Sequence, residues 1–211
     1  MNRNVNLINT IDKPLKIGIL GSTKGTSMQP IIDAIKSNNL HAEIVIVISN
    51  KENSGILERA YKHNINIKYI YPYKSNGKKK KNIDFDAEVT NILRLHQVQL
   101  VLMIGYMRIV SREFCEEWKS RCLNVHPSLL PEFAKGMDLD VHSSVIKSGK
   151  TITGCTIHFV TEELDGGPIL YQEHCNVNHN DTPESLKERV QILEGKAFIW
   201  AIKNYSNYCN E

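Results

Sequence analysis

The sequence lacks the patterns that mark secreted, membrane-spanning and metal-binding proteins. No apolar run reaches the length of a membrane helix, and the first stretch, MNRNVNLINTIDKPLK, has no apolar core of signal-peptide length. The five cysteines form no Cys-x-x-Cys pair and no cluster with histidine at zinc-ligand spacing. We therefore expect reduced thiols, no bound metal, no membrane contact and a cytoplasmic location.

Strong charge and familiar catalytic motifs are also missing. The net charge is +3 over 211 residues, which does not indicate a nucleic-acid partner, although it suits anionic small molecules. Neither the Gly-x-Gly-x-x-Gly fingerprint nor the phosphate loop of nucleotide-binding proteins is present. No serine lies in a Gly-x-Ser-x-Gly elbow, and no cysteine lies in a nucleophile motif, so a covalent mechanism is not indicated.

What the chain does contain is an alternation of apolar runs with helical segments. KIGIL, EIVIVIS, IKYIY, QLVLMIGYM and CLNV predict strands buried on both faces, because their apolar residues are continuous. Helical patterns separate them, at MQPIIDAIKSNNL, NSGILERAYKHN, residues 85–96 and a segment from Ser111. This order predicts an α/β fold with a mostly parallel sheet and helices on both faces.

The last third of the chain departs from this alternation. A helix at VHSSVIKSG is followed by two strands, TGCTIHFVT and PILYQEHCNV, which we expect to pair antiparallel. A final helix is predicted over residues 183–205, where Asp181, Pro183 and Glu184 supply start signals. We expect a flexible arm over residues 1–15, one domain over residues 16–205 and a tail over residues 206–211.

A loop over residues 72–82 contains four consecutive lysines, at positions 78–81. A solvated surface loop is the simpler interpretation. The functional one is a flexible basic flap that meets an anionic ligand.

The first candidate site follows the first predicted strand. In LGSTKGTSMQPIIDAI a loop of small residues runs into a helix, and free N–H groups at a helix N-terminus bind phosphate well. Gly25 permits close backbone approach, Thr26 and Ser27 add hydroxyl groups, and Lys24 adds a charge. An ordinary strand-to-helix turn with a Ser/Thr cap explains the loop equally well.

The second candidate lies in LNVHPSLLPEF, at the end of the strand CLNV. Ligands of parallel sheets sit beyond the carboxyl ends of the strands, and residues two apart on a strand point the same way. Asn124 and His126 could therefore aim at one point, with an amide donor for a developing oxyanion and a proton available near neutral pH. The alternative is a histidine that bonds only a backbone carbonyl.

The third candidate is Asp165 in HFVTEELDGGPIL, before two glycines and a proline that predict a tight turn. It is either a carboxylate that caps the turn or one that orients His126 and favours its charged form. Asn, His and Asp without a protein nucleophile suggest a substrate that brings its own, such as an amine attacking an acyl carbon.

Together, GTSMQPIIDAI, GYMRIV, LNVHPSLLPEF and HFVTEELDGGPIL resemble the phosphoribosylglycinamide formyltransferases of the folate-dependent formyltransferase superfamily. The resemblance runs from Lys16 to about Trp200. It implies a Rossmann-like formyltransferase fold and formyl transfer from 10-formyltetrahydrofolate to the amino group of glycinamide ribonucleotide, in purine biosynthesis. It leaves open whether the protein is a monomer or a homodimer.

The resemblance also implies roles for individual positions. Asn124, His126 and Asp165 match the catalytic residues. Positions that match the ribonucleotide site are Lys24, Gly25, Thr26, Ser27 and Glu194. Positions that match the folate site are Met107, Arg108, Ile109, Val110, Val160, Thr161, Glu162, Glu163 and Leu164.

Some positions depart from the family pattern. Lys24 replaces a polar neutral residue, Gly195 stands where histidine is common, and Asn82 stands near an expected arginine. The stretch AKGMDLDVHSSV is slightly longer than the usual form.

Several relatives and one non-catalytic interpretation compete with this assignment. Formyltetrahydrofolate deformylase, a hydrolase with the same motifs, usually carries an extra N-terminal domain, and methionyl-tRNA formyltransferase a C-terminal one. We expect neither here. Sugar formyltransferases do not need the Gly-Thr-Ser loop in this form. A non-catalytic α/β ligand-binding protein would not need Asn124, His126 and Asp165 intact.

Overall fold

A computed structural model describes residues 13–136 and 138–208. Most of the arm predicted over residues 1–15, and residues 209–211 of the predicted tail, lie outside the described residues. The strands are β1 Leu15–Leu20, β2 Ala42–Ser49, β3 Ile67–Tyr69, β4 Leu100–Met103, β5 Cys122–His126, β6 Ile152–Phe159 and β7 Ile169–Asn176. The helices are α1 Met28–Lys36, α2 Gly55–Lys62, α3 Asn82–Leu95, α4 Arg112–Glu117, α5 Leu139–Lys147 and α6 Pro183–Tyr208.

The strands form one sheet in the order β3-β2-β1-β4-β5-β6-β7. The pairs from β3 to β5 are parallel, whereas β5 with β6 and β6 with β7 are antiparallel. The mostly parallel sheet and the antiparallel pairing near its C-terminal end were both predicted, and both follow from the sequence. Continuous Ile and Val runs suit strands covered on both faces, and β6 and β7 are joined by a short connection instead of a helix.

Helices cover both faces of the sheet. One apolar core packs α1, α2, α5 and α6 against the sheet, with Met28, Ile31 and Phe198 fully buried. The other packs α3 and α4 on the opposite face, around Phe85 and Trp118. The predicted α/β class with helices on both faces is confirmed.

Several element boundaries differ from the prediction. Strand β4 ends at Met103, not Met107, because the chain turns at Gly105, where φ is +58°. The apolar residues that follow line a cavity instead of extending the sheet. Helix α3 begins at Asn82, three residues before the predicted start, and α6 continues to Tyr208, beyond the predicted end at residue 205.

Candidate active site

The candidate site lies where the strand order changes direction. From β1 the chain proceeds to β2 and β3 on one side, and then returns to β4 and β5 on the other. The segments that leave the carboxyl ends of β1 and β4 therefore diverge and open a crevice between them. Residues 22–27, after β1, and residues 104–109, after β4, line a cavity of about 910 Å³ at this point.

Asn124 and His126 lie on β5 and both line this cavity, as predicted. They point the same way because Val125 separates them on an extended strand. His126 is only 3% exposed, and Asn124 is half-buried. The imidazole is therefore largely removed from solvent, in a site where hydrogen bonds to developing charge are stronger than in water.

Asp165 reaches the same point from the connection between β6 and β7. Its Oδ2 lies 3.3 Å from Nδ1 of His126 and accepts a hydrogen bond of 2.8 Å from the backbone N–H of Lys135. Burial raises the pKa of the Asp165 carboxyl. The hydrogen bond and charge of His126 and the Lys135 amide outweigh that effect and lower the pKa below its ordinary value. The carboxylate is therefore ionised at neutral pH and aligned with the imidazole.

Gly167 allows this connection to double back on the sheet. A Cβ at position 167 would lie 1.8 Å from the carbonyl oxygen of Phe159, so no other residue fits without moving the backbone. Gly167 thus allows the geometry that brings the Asp165 carboxylate to His126.

The second ring nitrogen of His126 is also engaged. Its Nε2 lies 3.0 Å from the carbonyl oxygen of Phe133, and a carbonyl can only accept, so Nε2 carries the proton. With Asp165 at Nδ1, each nitrogen of a protonated imidazole faces an acceptor.

His158, which the sequence did not single out, orients Asn124. The two residues are directly opposite each other in the β5–β6 register, with Asn124 Nδ2 3.1 Å from His158 Nε2. Nδ1 of His158 donates to the carbonyl of Phe159 at 3.0 Å, which leaves Nε2 as the acceptor. Burial lowers the pKa of His158, so the ring is neutral and can accept from the Asn124 amide. Only the antiparallel register could have revealed this contact.

Four non-glycine residues around the site adopt left-handed backbone conformations. Phe133, Lys135, Asp138 and Asp165 have φ values of +58°, +65°, +51° and +57°. Such conformations cost about 1 kcal/mol or more each, and residues that hold them cluster at functional sites. Here two of them supply backbone groups to the site, the Phe133 carbonyl to His126 and the Lys135 N–H to Asp165.

The loop predicted to bind phosphate forms the opposite wall. Gly25 has φ of +63°, and a Cβ there would lie 2.4 Å from Ile56, so glycine is required. Lys24 and Thr26 are exposed. Within the described residues, the backbone N–H groups of residues 24–27 donate to no protein acceptor. The same residues line the cavity at the start of α1, a position that suits an anion.

Ser27 and Glu194 join this loop to α6. The Ser27 hydroxyl does not cap its own helix but donates to Oε2 of Glu194. Burial raises the pKa of Glu194 to about 7, although the Ser27 hydrogen bond and the charges of Lys187 and His126 partly oppose it. Glu194 is one of several residues that α6 presents to the cavity at helical spacing, the others being Glu184, Lys187, Glu188 and Gln191.

Two further residues at this end were not predicted. Lys187 forms an ion pair with Asp138 across the cavity. His142 is 1% exposed, and its Nδ1 has no hydrogen-bond partner within the described residues. Burial, followed by the charge of Lys187, lowers the pKa of His142 to about 4, so the ring is neutral. Neither residue lies in a sequence motif, and α5 and α6 had to be packed together to bring them to one place.

An apolar wall forms the other end of the cavity. Met107, Ile109 and Leu164 are 42%, 62% and 44% exposed and line the opening. Exposed apolar side chains around a cavity are typical of ligand-binding sites. The guanidinium of Arg108 lies 3.9 Å from the ring centroid of Phe85 and donates to Oδ1 of Asn82 at 3.2 Å. The predicted departure at Asn82 therefore supports Arg108.

Not every predicted folate residue lies in this wall. Val110 and Val160 pack on the core around Phe85 and Trp118. Thr161, Glu162 and Glu163 also lie outside the cavity lining, and Glu162 instead lies 3.4 Å from Arg112.

The structure gives a physical reason for Gly195. A Cβ at this position of α6 would lie 2.5 Å from Cγ of Pro30 in α1. Glycine is therefore matched to the proline ring that faces it.

Over residues 13–136 and 138–208, no group of three or more His, Cys, Asp or Glu side chains is arranged to hold a metal ion. In the same part of the chain, every helix is too short or too polar to cross a bilayer.

The fold and the site define an α/β protein with an amide, an imidazole and a carboxylate at the switch point of its sheet. The chain belongs to the formyl transferase family, whose sequence model matches residues 15–202. The predicted family resemblance is confirmed.

Three similar proteins illustrate the relationship. The trifunctional purine biosynthetic protein adenosine-3 of Gallus gallus is 39% identical over 189 residues, which is 90% of this chain and 18% of that protein. The chain thus spans less than a fifth of that relative. The chloroplastic phosphoribosylglycinamide formyltransferase of Arabidopsis thaliana is 33% identical, over 87% of this chain and 63% of its own length. Glycinamide ribonucleotide transformylase 1 from Symbiobacterium toebii has a TM-score of 0.83 at 32% identity, covering 93% of this chain and 89% of that one.

Proposed function

We propose that the protein transfers a formyl group from 10-formyltetrahydrofolate to the amino group of glycinamide ribonucleotide, a step of de novo purine biosynthesis. The observation that supports this most is the convergence of Asn124, His126 and Asp165 on one cavity, with His126 Nδ1 3.3 Å from Asp165 Oδ2. Family membership and the printed names of the relatives support the same reaction.

The proposed mechanism needs no covalent intermediate with the protein. The substrate amine attacks the formyl carbon, a carbon–nitrogen bond forms, and the formyl oxygen becomes a tetrahedral oxyanion. Asn124 and protonated His126 donate hydrogen bonds to that oxygen, and Asp165 stabilises the imidazolium. The bond to the folate nitrogen then breaks, and the proton lost by the amine is relayed to that nitrogen with the help of Asp165.

The ribonucleotide occupies the end of the cavity formed by α1 and α6. Its phosphate accepts from the free N–H groups of residues 24–27, and Lys24 adds a charge that the usual family loop lacks. Glu194 contacts Ser27 of the phosphate-binding loop. Its carboxyl therefore lies where it can bind the sugar hydroxyls next to the phosphate. Its buried carboxyl then exchanges the Ser27 hydrogen bond for one from the ligand.

The folate occupies the apolar end. Its ring packs against Met107, Ile109 and Leu164, and Arg108 meets a carboxylate of the cosubstrate. Val110 and residues 160–163, which the family resemblance matches to the folate site, lie outside the cavity lining and act on the folate indirectly. Val110 and Val160 do so through the core around Phe85. No metal takes part in this proposal.

The proposal also includes the domain, the location and the ligands that we expect from the sequence. Residues 16–205 act as one domain, since all seven strands from β1 to β7 share one sheet and α6 packs against it. The protein acts in the cytoplasm, with the ribonucleotide and the folate as its only required ligands.

A spectrophotometric assay of 10-formyltetrahydrofolate tests the proposal. The full chain is assayed with and without glycinamide ribonucleotide, and we expect deformylated folate to accumulate only with the ribonucleotide. Turnover without an acceptor would make the protein a hydrolase, and no turnover in either case would favour a non-catalytic binding protein. His179→Ala, an exposed histidine outside the cavity, is the control for histidine variants.

A further inference from the structure

The four consecutive lysines lie in an ordered hairpin. Residues 72–81, here named the basic hairpin, fold back through a bridge between Tyr73 and Lys79. Backbone hydrogen bonds from Lys74 N to Lys78 O, at 2.7 Å, and from Lys80 N to Pro72 O, at 2.9 Å, close it. The segment therefore folds as a hairpin that carries its lysines on one short turn.

The lysines of the basic hairpin differ in whether they form ion pairs. Lys74 is paired with Asp84 at 2.9 Å and Lys80 with Glu88 at 2.6 Å. Lys78, Lys79 and Lys81 are exposed and form no ion pair within the described residues. These three lysines can therefore bind an anion without breaking an existing ion pair.

The basic hairpin stands beside the apolar end of the cavity. It runs directly into Asn82, the first residue of α3, and Oδ1 of Asn82 accepts from Arg108 of the cavity wall at 3.2 Å. On its other side, the hairpin follows β3, which pairs with β2 at Ser49 and Tyr69. The residue two positions beyond Ser49, Lys51, also lines the cavity. Both ends of the hairpin are thus anchored to the rim.

We propose that the basic hairpin binds the γ-linked oligoglutamate tail of the folate cosubstrate, with Lys78, Lys79 and Lys81 as its contacts. The proposal rests on the proposed function, because it takes the folate ring to lie against Met107 and Ile109. A tail that leaves the cavity past Arg108 meets Lys81 first. Each additional glutamate adds one carboxylate, and lysine ammonium groups on flexible stems suit a mobile, solvent-exposed polyanion.

The test compares cosubstrates that differ only in tail length. KM is measured for mono- and pentaglutamyl 10-formyltetrahydrofolate with the unmodified chain and with the triple variant Lys78→Gln, Lys79→Gln, Lys81→Gln. The control variant, Lys147→Gln, Lys196→Gln, Lys203→Gln, removes the same charge from exposed positions outside the cavity. Circular dichroism checks that both variants are folded.

We expect the unmodified chain to have a KM about tenfold lower for the pentaglutamate, the combined effect of three exposed ion pairs of ordinary strength. In the hairpin variant this ratio should fall to about one, with kcat and the monoglutamate KM unchanged, whereas the control variant keeps the preference. Since exposed pairs are screened by salt, the preference should also shrink at 1 M ionic strength.

Several results would overturn the proposal. Equal KM values for both cosubstrates in the unmodified chain would do so, as would a preference that survives in the hairpin variant. Binding of a single-stranded RNA oligonucleotide that the hairpin variant loses, without any dependence on tail length, would make the hairpin a nucleic-acid contact instead. Absence of turnover with the monoglutamate would refute the proposed function itself, and is thereby distinguished from failure of the hairpin proposal.

Discussion

The hydroxyl of Ser27, at the start of α1, donates a hydrogen bond to the buried carboxyl of Glu194 in α6. Because burial raises the pKa of Glu194 to about 7 from an ordinary value of 4.5, the folded protein holds a proton between these values that the unfolded chain releases. The contribution of Glu194 to stability is therefore fully present below pH 4.5 and is lost as the pH rises through 7. The total loss is about 3 kcal/mol.

We predict that Glu194→Gln removes this dependence. The glutamine oxygen can still accept from Ser27, so the variant should exceed the free energy of unfolding of the unmodified protein by less than about 1 kcal/mol at pH 5 and by about 3 kcal/mol at pH 8. Urea unfolding at several pH values measures the difference. Glu188→Gln, an exposed position on the same helix, is the control. A constant difference between pH 5 and pH 8 would contradict the prediction.

Asn124→Ala and His126→Ala should each lower kcat about a hundredfold or more, since loss of one oxyanion donor raises the barrier by about 3 kcal/mol. KM for both substrates should change little, because the lost hydrogen bonds form mainly in the transition state. Single-turnover kinetics with the purified variants provide the measurement, and thermal unfolding checks the fold. Near-normal turnover in either variant would refute the assigned roles.

His158 Nε2 lies 3.1 Å from Asn124 Nδ2 and 3.7 Å from Asp165 Oδ1, and we expect the closer contact, with Asn124, to carry its effect on catalysis. We expect His158→Leu, which removes the acceptor for the Asn124 amide, to lower kcat about five- to tenfold, the effect of one hydrogen bond of about 1 kcal/mol. His158→Gln offers a carbonyl acceptor and should restore part of the loss. In a double-mutant cycle with Asn124→Ala, His158→Leu should add no further decrease. Additive losses would mean that His158 contributes independently of Asn124.

Gly195→Ala should destabilise the protein, although alanine normally favours a helix interior by about 1 kcal/mol over glycine. The new Cβ would lie 2.5 Å from the Pro30 ring, and such overpacking costs about 1–3 kcal/mol. Chemical denaturation measures the loss. Pro30→Ala in the Gly195→Ala background should recover most of it, and equal losses in both backgrounds would exclude the contact as the cause.

The sequence predicted the fold because its signals were local. Continuous apolar runs marked β1, β2 and β4, and their alternation with helices predicted the parallel sheet. The strand predicted over QLVLMIGYM was too long at its C-terminal end. Hydrophobicity cannot distinguish a residue that packs in the sheet from one, such as Met107, that lines a cavity. The helix ends at Asn82 and Tyr208 were missed by about three residues for lack of strong capping signals.

The candidate site was predictable where a motif marked it and not elsewhere. Strand geometry alone suggested that Asn124 and His126 converge, but only the family resemblance linked them with Glu194. His158 could be recognised only from the antiparallel register, which pairs it with Asn124. Lys187 and Asp138 are brought together by the packing of α5 and α6, and no local pattern encodes such a contact.

The contact between His126 Nε2 and the Phe133 carbonyl has a consequence for how the reaction begins. In the proposed transfer, the neutral carbonyl oxygen of Phe133 accepts from the ring before negative charge forms on the formyl oxygen. An anionic oxygen is a stronger acceptor than a carbonyl oxygen, so Nε2 of His126 can exchange the Phe133 carbonyl for the formyl oxygen as charge accumulates. The turn at Phe133, where φ is +58°, thus holds the imidazole in the orientation that the transfer requires.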